Sequence, residues 1–135
     1  MLSVVLEMSH AKHFEELEIY QLSKQLSKEI FELTKKFPKE EMYSLTDQIR
    51  RSSRAIGAQI AEAWGKRVYE KHFVSKLTDA DAEQLETHHW IETALDCSYV
   101  SAQVSEELLT KCHSVGRMLH SMIMKSSAFC NKINH

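Results

Sequence analysis

The chain has few of the residues that break helices or cross-link small folds. Its 135 residues include three glycines and one proline, too few for the frequent turns of a β-protein. The cysteines, Cys97, Cys112 and Cys130, are odd in number and widely spaced, which disfavours a disulfide framework and indicates reduced thiols. No apolar run approaches the ~20 residues that span a bilayer, and residues 1–7 lack the features of a signal peptide. We therefore expect one helical, cytoplasmic domain.

Charge is distributed unevenly along the chain, although its net charge is only −2. Residues 50–76 carry seven bases and two acids, whereas residues 77–107 carry eight acids and no base. Two such helices packed side by side would partly neutralise each other. Alternatively, one face of an assembly is basic enough to attract a polyanion.

Apolar residues recur at three- and four-residue steps along four segments, which predicts four amphipathic helices. The segments are about 13–36, 44–65, 68–96 and 101–126. Phe37 and Pro38 end the first helix, because the residue before a proline is displaced from the α region. Ser44 is expected to cap the second helix through its hydroxyl.

The second helix has the clearest apolar stripe. Its members are Leu45, Ile49, Ser53, Ile56, Ile60 and Trp64. Gly57 lies within this helix at a cost of about 1 kcal/mol relative to alanine, which suggests close approach of a neighbouring backbone. Core-facing positions are also expected for Cys97 and Cys112.

Short connections make consecutive helices antiparallel neighbours. The predicted fold is therefore all-α, an antiparallel up-down-up-down four-helix bundle over residues 13–128. A poorly ordered N-terminal arm at residues 1–12 and a C-terminal tail at residues 129–135 complete the predicted organisation.

Several strings in the chain match a known family in their order and spacing. They are Leu45–Ser53, Ile60–Ala63, Ala80–Glu83 with Glu86, Thr87 and Trp90, Ala94–Tyr99, Val115–Leu119, and Met122–Ile123. Together they cover about residues 13–130. On these strings the chain resembles the four-helix-bundle proteins first noted as products of intervening sequences in bacterial 23S ribosomal RNA genes.

The resemblance implies a left-handed antiparallel bundle assembled as a homopentamer around a central channel. The accessory variability protein of diversity-generating retroelements is similar in fold, and it binds nucleic acid through a basic surface. The family has no established catalytic activity. Gln59 and Gly57 stand where many members have asparagine and proline, respectively, and neither change threatens the fold.

An arginine row beside the apolar stripe is the main indication of a binding partner. Arg50 and Arg54 are one helical turn apart, and Arg51 lies about 100° around the helix. Guanidinium groups bind phosphates without regard to sequence, so RNA or DNA is the candidate ligand. Lys66, Arg67 and Lys71 could extend this basic region. The alternative is salt bridging to acidic residues of the third helix or of a neighbouring subunit.

Acidic and polar residues of the third helix have two interpretations. Glu83, Glu86 and Thr87 suit a polar network that fixes register across the bundle or a subunit interface, and Trp64 and Trp90 suit packing or interface anchors. Glu86 and His89 also form an E-x-x-H pair of the kind found in di-iron bundles. The other such pair is Glu7 and His10.

No reaction follows from these motifs. The helices do not supply the remaining ligands of a di-metal site, the cysteines and His113 lack zinc spacing, and three glycines cannot build a phosphate loop. We therefore expect a non-catalytic protein without cofactor or metal that associates with itself and with nucleic acid. A structural or protein-interaction ring is the alternative, and a metal-dependent enzyme using Glu86 and His89 is a minor one.

Overall fold

The structure is a computed structural model that describes residues 11–130. Four long helices account for most of this range, which contains no β-strand. They are α1 (Glu18–Thr34), α2 (Leu45–Gly65), α3 (Glu70–Asp96) and α4 (Ala102–Met124), followed by a short α5 (Ser126–Phe129). Two 3-10 turns, Phe14–Glu16 and Lys39–Glu41, precede α1 and α2. The predicted all-α fold with four long helices is confirmed, and no helix in the described range is long and apolar enough to cross a membrane.

The apolar stripe of α2 forms the centre of the core. All six of its predicted members are buried, from Leu45 to Trp64. Ile49, Ile56, Ile60 and Trp64 pack in one cluster with Leu26 and Ile30 of α1, Phe73 and Leu77 of α3, and Val115 and Leu119 of α4. Leu45 packs in a second cluster with Phe37, Ala94 and Val100. The apolar positions that recur with the helical period in the sequence are therefore the positions that the helix buries.

The first helix begins five residues later than the pattern predicts. The Glu16 carboxylate accepts hydrogen bonds from the main-chain N–H groups of Lys12 and His13, at 3.1 and 2.9 Å. These contacts hold a 3-10 turn, and Leu17 then adopts an extended conformation. Leu17 is only 1% exposed, so the interruption places an apolar side chain in the core.

The second helix begins where it was predicted to begin, but the predicted cap is wrong. The Ser44 side chain accepts no capping hydrogen bond. Instead the main-chain N–H of Leu45 donates to the Glu41 carboxylate at 3.2 Å. The Tyr99 hydroxyl also donates to this carboxylate, at 2.9 Å, so Glu41 links the connection before α2 to the one after α3.

Gly57 marks a close approach to α1. The neighbouring atoms belong to side chains of α1, whereas the sequence suggested a neighbouring backbone. A Cβ atom at this position would lie 3.1 Å from Ser23 Oγ and 3.5 Å from the Tyr20 ring. The small residue therefore accommodates side chains of α1 on the buried surface of α2.

The connection between α3 and α4 exposes one cysteine that was expected near the core. Cys97 is exposed, whereas Cys112 is buried, and burial raises the pKa of Cys112 to about 12. Cys97 follows the last residue of α3, and Ser98 beyond it has a φ of 62°. Cys97 is therefore the cap residue of α3, at the exposed end of the helix.

The described chain ends inside the bundle. Phe129 of α5 is 6% exposed, and its ring lies 6.2 Å from that of Phe73. The predicted boundary after residue 128 therefore falls within a short packed helix. Residues 1–10 of the predicted arm and 131–135 of the predicted tail lie outside the described residues.

Candidate nucleic-acid interface

Two of the predicted arginines lie over one aromatic ring of α1. The guanidinium carbons of Arg50 and Arg54 are 4.7 and 5.3 Å from the centre of the Phe31 ring. Arg50 Nε donates to Thr34 Oγ1 at 2.7 Å. Cation–π contact and this hydrogen bond orient both arginines without using a carboxylate.

Two lysines of α1 extend this arrangement. Lys24, Lys28, Phe31 and Arg54 line one shallow depression on the surface. No ion pair of Lys24, Lys28, Arg50 or Arg54 occurs within residues 11–130 at 4.0 Å or less. We call these four cations together with Phe31 the α1–α2 basic face. Its cations are available to a phosphate group.

The edge of this face is less basic than its middle. Lys35 Nζ lies 4.9 Å from the centre of the Phe31 ring, but it also pairs with Glu32 at 3.0 Å. An exposed pair of this kind contributes little to stability, yet it cancels one positive charge at the boundary of the patch.

Arg51 faces α3 and is engaged by two carboxylates. Its Nη2 atom lies 2.6 Å from Glu86 Oε2 and 3.2 Å from Glu83 Oε1. The hydrogen bonds that Arg51 donates to Glu86 and Glu83 raise the pKa of Arg51. Arg51 therefore points away from Arg50 and Arg54, and its charge is neutralised by carboxylates whereas theirs is not.

The other residues predicted for a polar network meet at the same contact between α2 and α3. Trp90 Nε1 donates to Glu86 Oε2 at 3.0 Å. Below them, buried Thr87 donates through Oγ1 to Ser52 Oγ at 2.9 Å. The structure thus brings Glu83, Glu86, Thr87 and Trp90 together along one helix and connects all four to α2 or to each other.

Glu86 should make stability depend on pH in the acid range. The indole hydrogen bond from Trp90, followed by that from Arg51, lowers the pKa of Glu86 below 4.5. Its stabilising contribution is present above the unfolded pKa and is lost as the pH falls through the lowered folded pKa. Urea unfolding at a series of pH values measures this effect. At neutral pH the unfolding free energy of wild type should exceed that of Glu86→Gln, and the difference should vanish in acid.

A matched control for this titration is Asp79→Asn, because Asp79 is an exposed acid of the same helix. Its unfolding free energy should follow wild type throughout. A constant difference between wild type and Glu86→Gln at every pH would contradict the proposed ionic contribution of Glu86.

The remaining predicted cations lie at the far end of α2. Arg67 Cζ is 3.5 Å from the centre of the Trp64 ring, while Lys66 and Lys71 are exposed. Trp64 itself is 8% exposed, so it serves as a packing residue whose ring supports Arg67.

The E-x-x-H pair of α3 is arranged for packing rather than for metal. The Glu86 oxygen nearest Arg51 is the one that also accepts from Trp90, and the His89 ring lies 4.7 Å from the Trp90 ring. Within residues 11–130, no three histidine, cysteine or acidic side chains are grouped to hold a metal ion. Glu7 and His10 lie outside the described residues.

Sequence reasoning missed three of the five residues of the α1–α2 basic face. Phe31, Lys24 and Lys28 were not identified, because their relation to Arg54 depends on how α1 packs against α2. A signal was present in the sequence, since Lys24, Lys28 and Phe31 recur at helical spacing on α1. Such spacing is common on solvated helices, so only the packed structure distinguishes it.

The fold and this surface define a class, that of helical-bundle proteins with a basic face. A family model described as "23S rRNA-intervening sequence protein" matches residues 15–121. The chain belongs to this family, as its sequence strings indicated.

A solved structure agrees with this assignment. A protein of unknown function from the S23 ribosomal protein family of Bacteroides thetaiotaomicron VPI-5482 is similar to this chain, with a TM-score of 0.72 and 27% sequence identity. The similarity covers 78% of this chain and 95% of the other. A comparison with curated proteins gave no match.

Proposed function

We propose that this protein is a non-catalytic, cytoplasmic bundle protein that assembles into a ring and binds RNA or DNA phosphates through its α1–α2 basic face. The observation that carries the proposal is the set of four cations without a carboxylate partner in the described chain. Two of them are held over Phe31, which reduces the side-chain entropy lost when a phosphate binds.

The proposed assembly is a homopentamer of antiparallel up-down-up-down bundles. Antiparallel order is supported for α2 and α3 by the contacts of Arg51 with Glu86 and of Glu62 with Lys76, since residue numbers rise along one helix as they fall along the other. The pentamer follows from the family resemblance. Exposed Leu85 and Met124, at 56% and 83%, supply apolar area for contacts between copies.

A ring makes a modest patch effective. The net charge of the chain is −2, so a single bundle lacks the high overall charge that is common among nucleic-acid-binding domains. Repetition of the α1–α2 basic face around one axis would let a strand contact several copies, and linked contacts raise the effective concentration at each site.

Replacing Arg54 with alanine should weaken nucleic-acid binding and reduce its salt dependence. Each lost phosphate contact lowers the slope of log affinity against log salt by about 1 per site. Fluorescence anisotropy with labelled RNA and DNA at several salt concentrations measures both quantities. Light scattering in the same buffers should show an unchanged oligomer.

The matched control is Arg117→Ala, which removes the same charge from α4, away from this face. It should leave the salt slope at its wild-type value. Equal losses in Arg54→Ala and Arg117→Ala would indicate a nonspecific charge effect and contradict the proposed site. A well-formed oligomer that binds neither RNA nor DNA at low salt would reject the function itself.

A second candidate function is a structural or protein-interaction ring that binds no nucleic acid. The engagement of Arg51 by Glu83 and Glu86 favours it, because this arginine is used for contact between helices. Wild-type binding to RNA or DNA at low salt separates the two candidates, and the Arg51→Ala variant tests the use of this arginine. Loss of assembly in that variant supports the structural role of Arg51, whereas weaker nucleic-acid binding by an intact oligomer adds Arg51 to the phosphate site.

A further inference from the structure

Arg67 is held in place by the side chain and the backbone of a single residue. Its guanidinium carbon lies 3.5 Å from the centre of the Trp64 ring, and its Nε donates to the Trp64 main-chain carbonyl at 2.8 Å. No carboxylate pairs with Arg67 within residues 11–130. One face of its guanidinium plane is therefore covered by the indole, and no aromatic ring of residues 11–130 covers the opposite face.

Cationic and aromatic residues flank Arg67 in the chain, at the connection between α2 and α3. Tyr69 is 64% exposed, and its ring lies 5.3 Å from that of His72. Lys66 and Lys71 are exposed. We call Lys66, Arg67, Tyr69, Lys71 and His72 the end patch.

The shape and charge of the end patch suit a flat anionic ligand. Tyr69, Lys71 and His72 line a shallow depression together with Val68 and Val74. Glu70 also lies there, but its carboxylate accepts a hydrogen bond from Ser126 Oγ at 2.5 Å, which directs it toward α5. The depression therefore holds Lys71 and one acid whose carboxylate is already hydrogen-bonded, while Lys66 and Arg67 lie just before it in the chain.

Positive charge alone would not distinguish one polyanion from another. Lysines bind phosphates of single strands, duplexes and polyphosphate alike. A guanidinium plane supported by an indole and an exposed tyrosine ring add flat surfaces, and unpaired bases stack on both kinds of group. Bases within a duplex are already stacked on each other and cannot use such surfaces.

We propose that the end patch binds unpaired bases of single-stranded RNA or DNA, with Arg67 and Tyr69 as stacking surfaces and Lys66 and Lys71 as phosphate contacts. The proposal rests on the proposed function, because it adds a base site to the phosphate site. The helical rise of 1.5 Å per residue places the end of α2 about 16 Å along its axis from Arg54, so one strand can reach both surfaces.

The test compares a labelled single-stranded oligonucleotide with its duplex by fluorescence anisotropy, using the full chain. Arg67→Lys keeps the charge and removes the planar group, and Tyr69→Ala removes the ring. Each should weaken single-strand binding about ten-fold, the loss of roughly one stacked base, and leave duplex binding unchanged. Tyr69→Phe, which keeps the ring, and Arg117→Lys, which changes a distant arginine, should behave as wild type.

The outcomes separate this inference from the proposed function. If Arg67→Lys and Tyr69→Ala bind single strands as wild type does, or lose single-strand and duplex binding equally, the base site is rejected. If Arg54→Ala weakens both forms while these variants do not, the phosphate site stands without the base site. If wild type binds neither form, both proposals fail. Thermal unfolding checks that each variant folds. Because Tyr69 is exposed, Tyr69→Ala and Tyr69→Phe are the variants least expected to disturb the fold.

Discussion

Replacing Phe73 with alanine should lower the free energy of unfolding by about 3–5 kcal/mol. Phe73 is 0% exposed and lies in the first turn of α3, where its ring contacts that of Phe129. Its truncation would leave a cavity at the point where α5 closes over the bundle. The reason for the large effect is that a well-packed core relaxes only partly around a missing ring.

Urea unfolding followed by circular dichroism measures this effect. Leu95→Ala is the matched control, because it truncates a large apolar side chain of the same helix that is 37% exposed. The control should lower the unfolding free energy by less than about 1 kcal/mol. A comparable loss in both variants would show that Phe73 does not occupy a closed core.

Replacing Thr87 with valine should cost about 1–3 kcal/mol of unfolding free energy, although the two side chains have nearly the same shape. Thr87 is fully buried, and its Oγ1 hydrogen-bonds with Ser52 Oγ at 2.9 Å and with the Glu83 carbonyl at 2.9 Å. Valine would leave the buried Ser52 hydroxyl with only its longer hydrogen bond to the Ile49 carbonyl, at 3.4 Å. A poorly satisfied buried polar group is more costly than an absent one.

The double variant Ser52→Ala with Thr87→Val provides the decisive comparison. Removing both hydroxyl groups should cost less than the sum of the two single changes, because neither partner is left unsatisfied. Additive costs would show that the two hydroxyl groups do not interact across α2 and α3.

The core of α2 could be predicted from the sequence because burial follows helical period. Leu45, Ile49 and Ile60 recur on one face, and that face has to be covered whatever packs against it. The start of α1 could not be predicted in the same way. There the Glu16 carboxylate competes for main-chain N–H groups, and such local polar contacts are not visible in apolar spacing.

The candidate site was only partly predictable for a related reason. Helical spacing predicted that Arg51 points in a different direction from Arg50 and Arg54. The structure shows that their partners also differ, since Arg51 pairs with carboxylates of α3 and the other two contact Phe31 of α1. Which partner each arginine has depends on the packing of α1 and α3 on either side of α2. Phe31 and Glu86 are far from the arginines in sequence, so spacing within α2 carries no information about them.

The pairing of Arg51 with Glu83 and Glu86 has a consequence for the kinetics of encounter. It neutralises the charge of Arg51 on the side of α2 that faces α3, where two carboxylates meet one arginine. The positive charge of Arg50 and Arg54 remains on the side of α1. An approaching polyanion is thus attracted to one side and repelled from the other, and the resulting torque turns the molecules before they touch. Such orientation accelerates association rather than slowing dissociation, and it fades as salt shortens the range of the field.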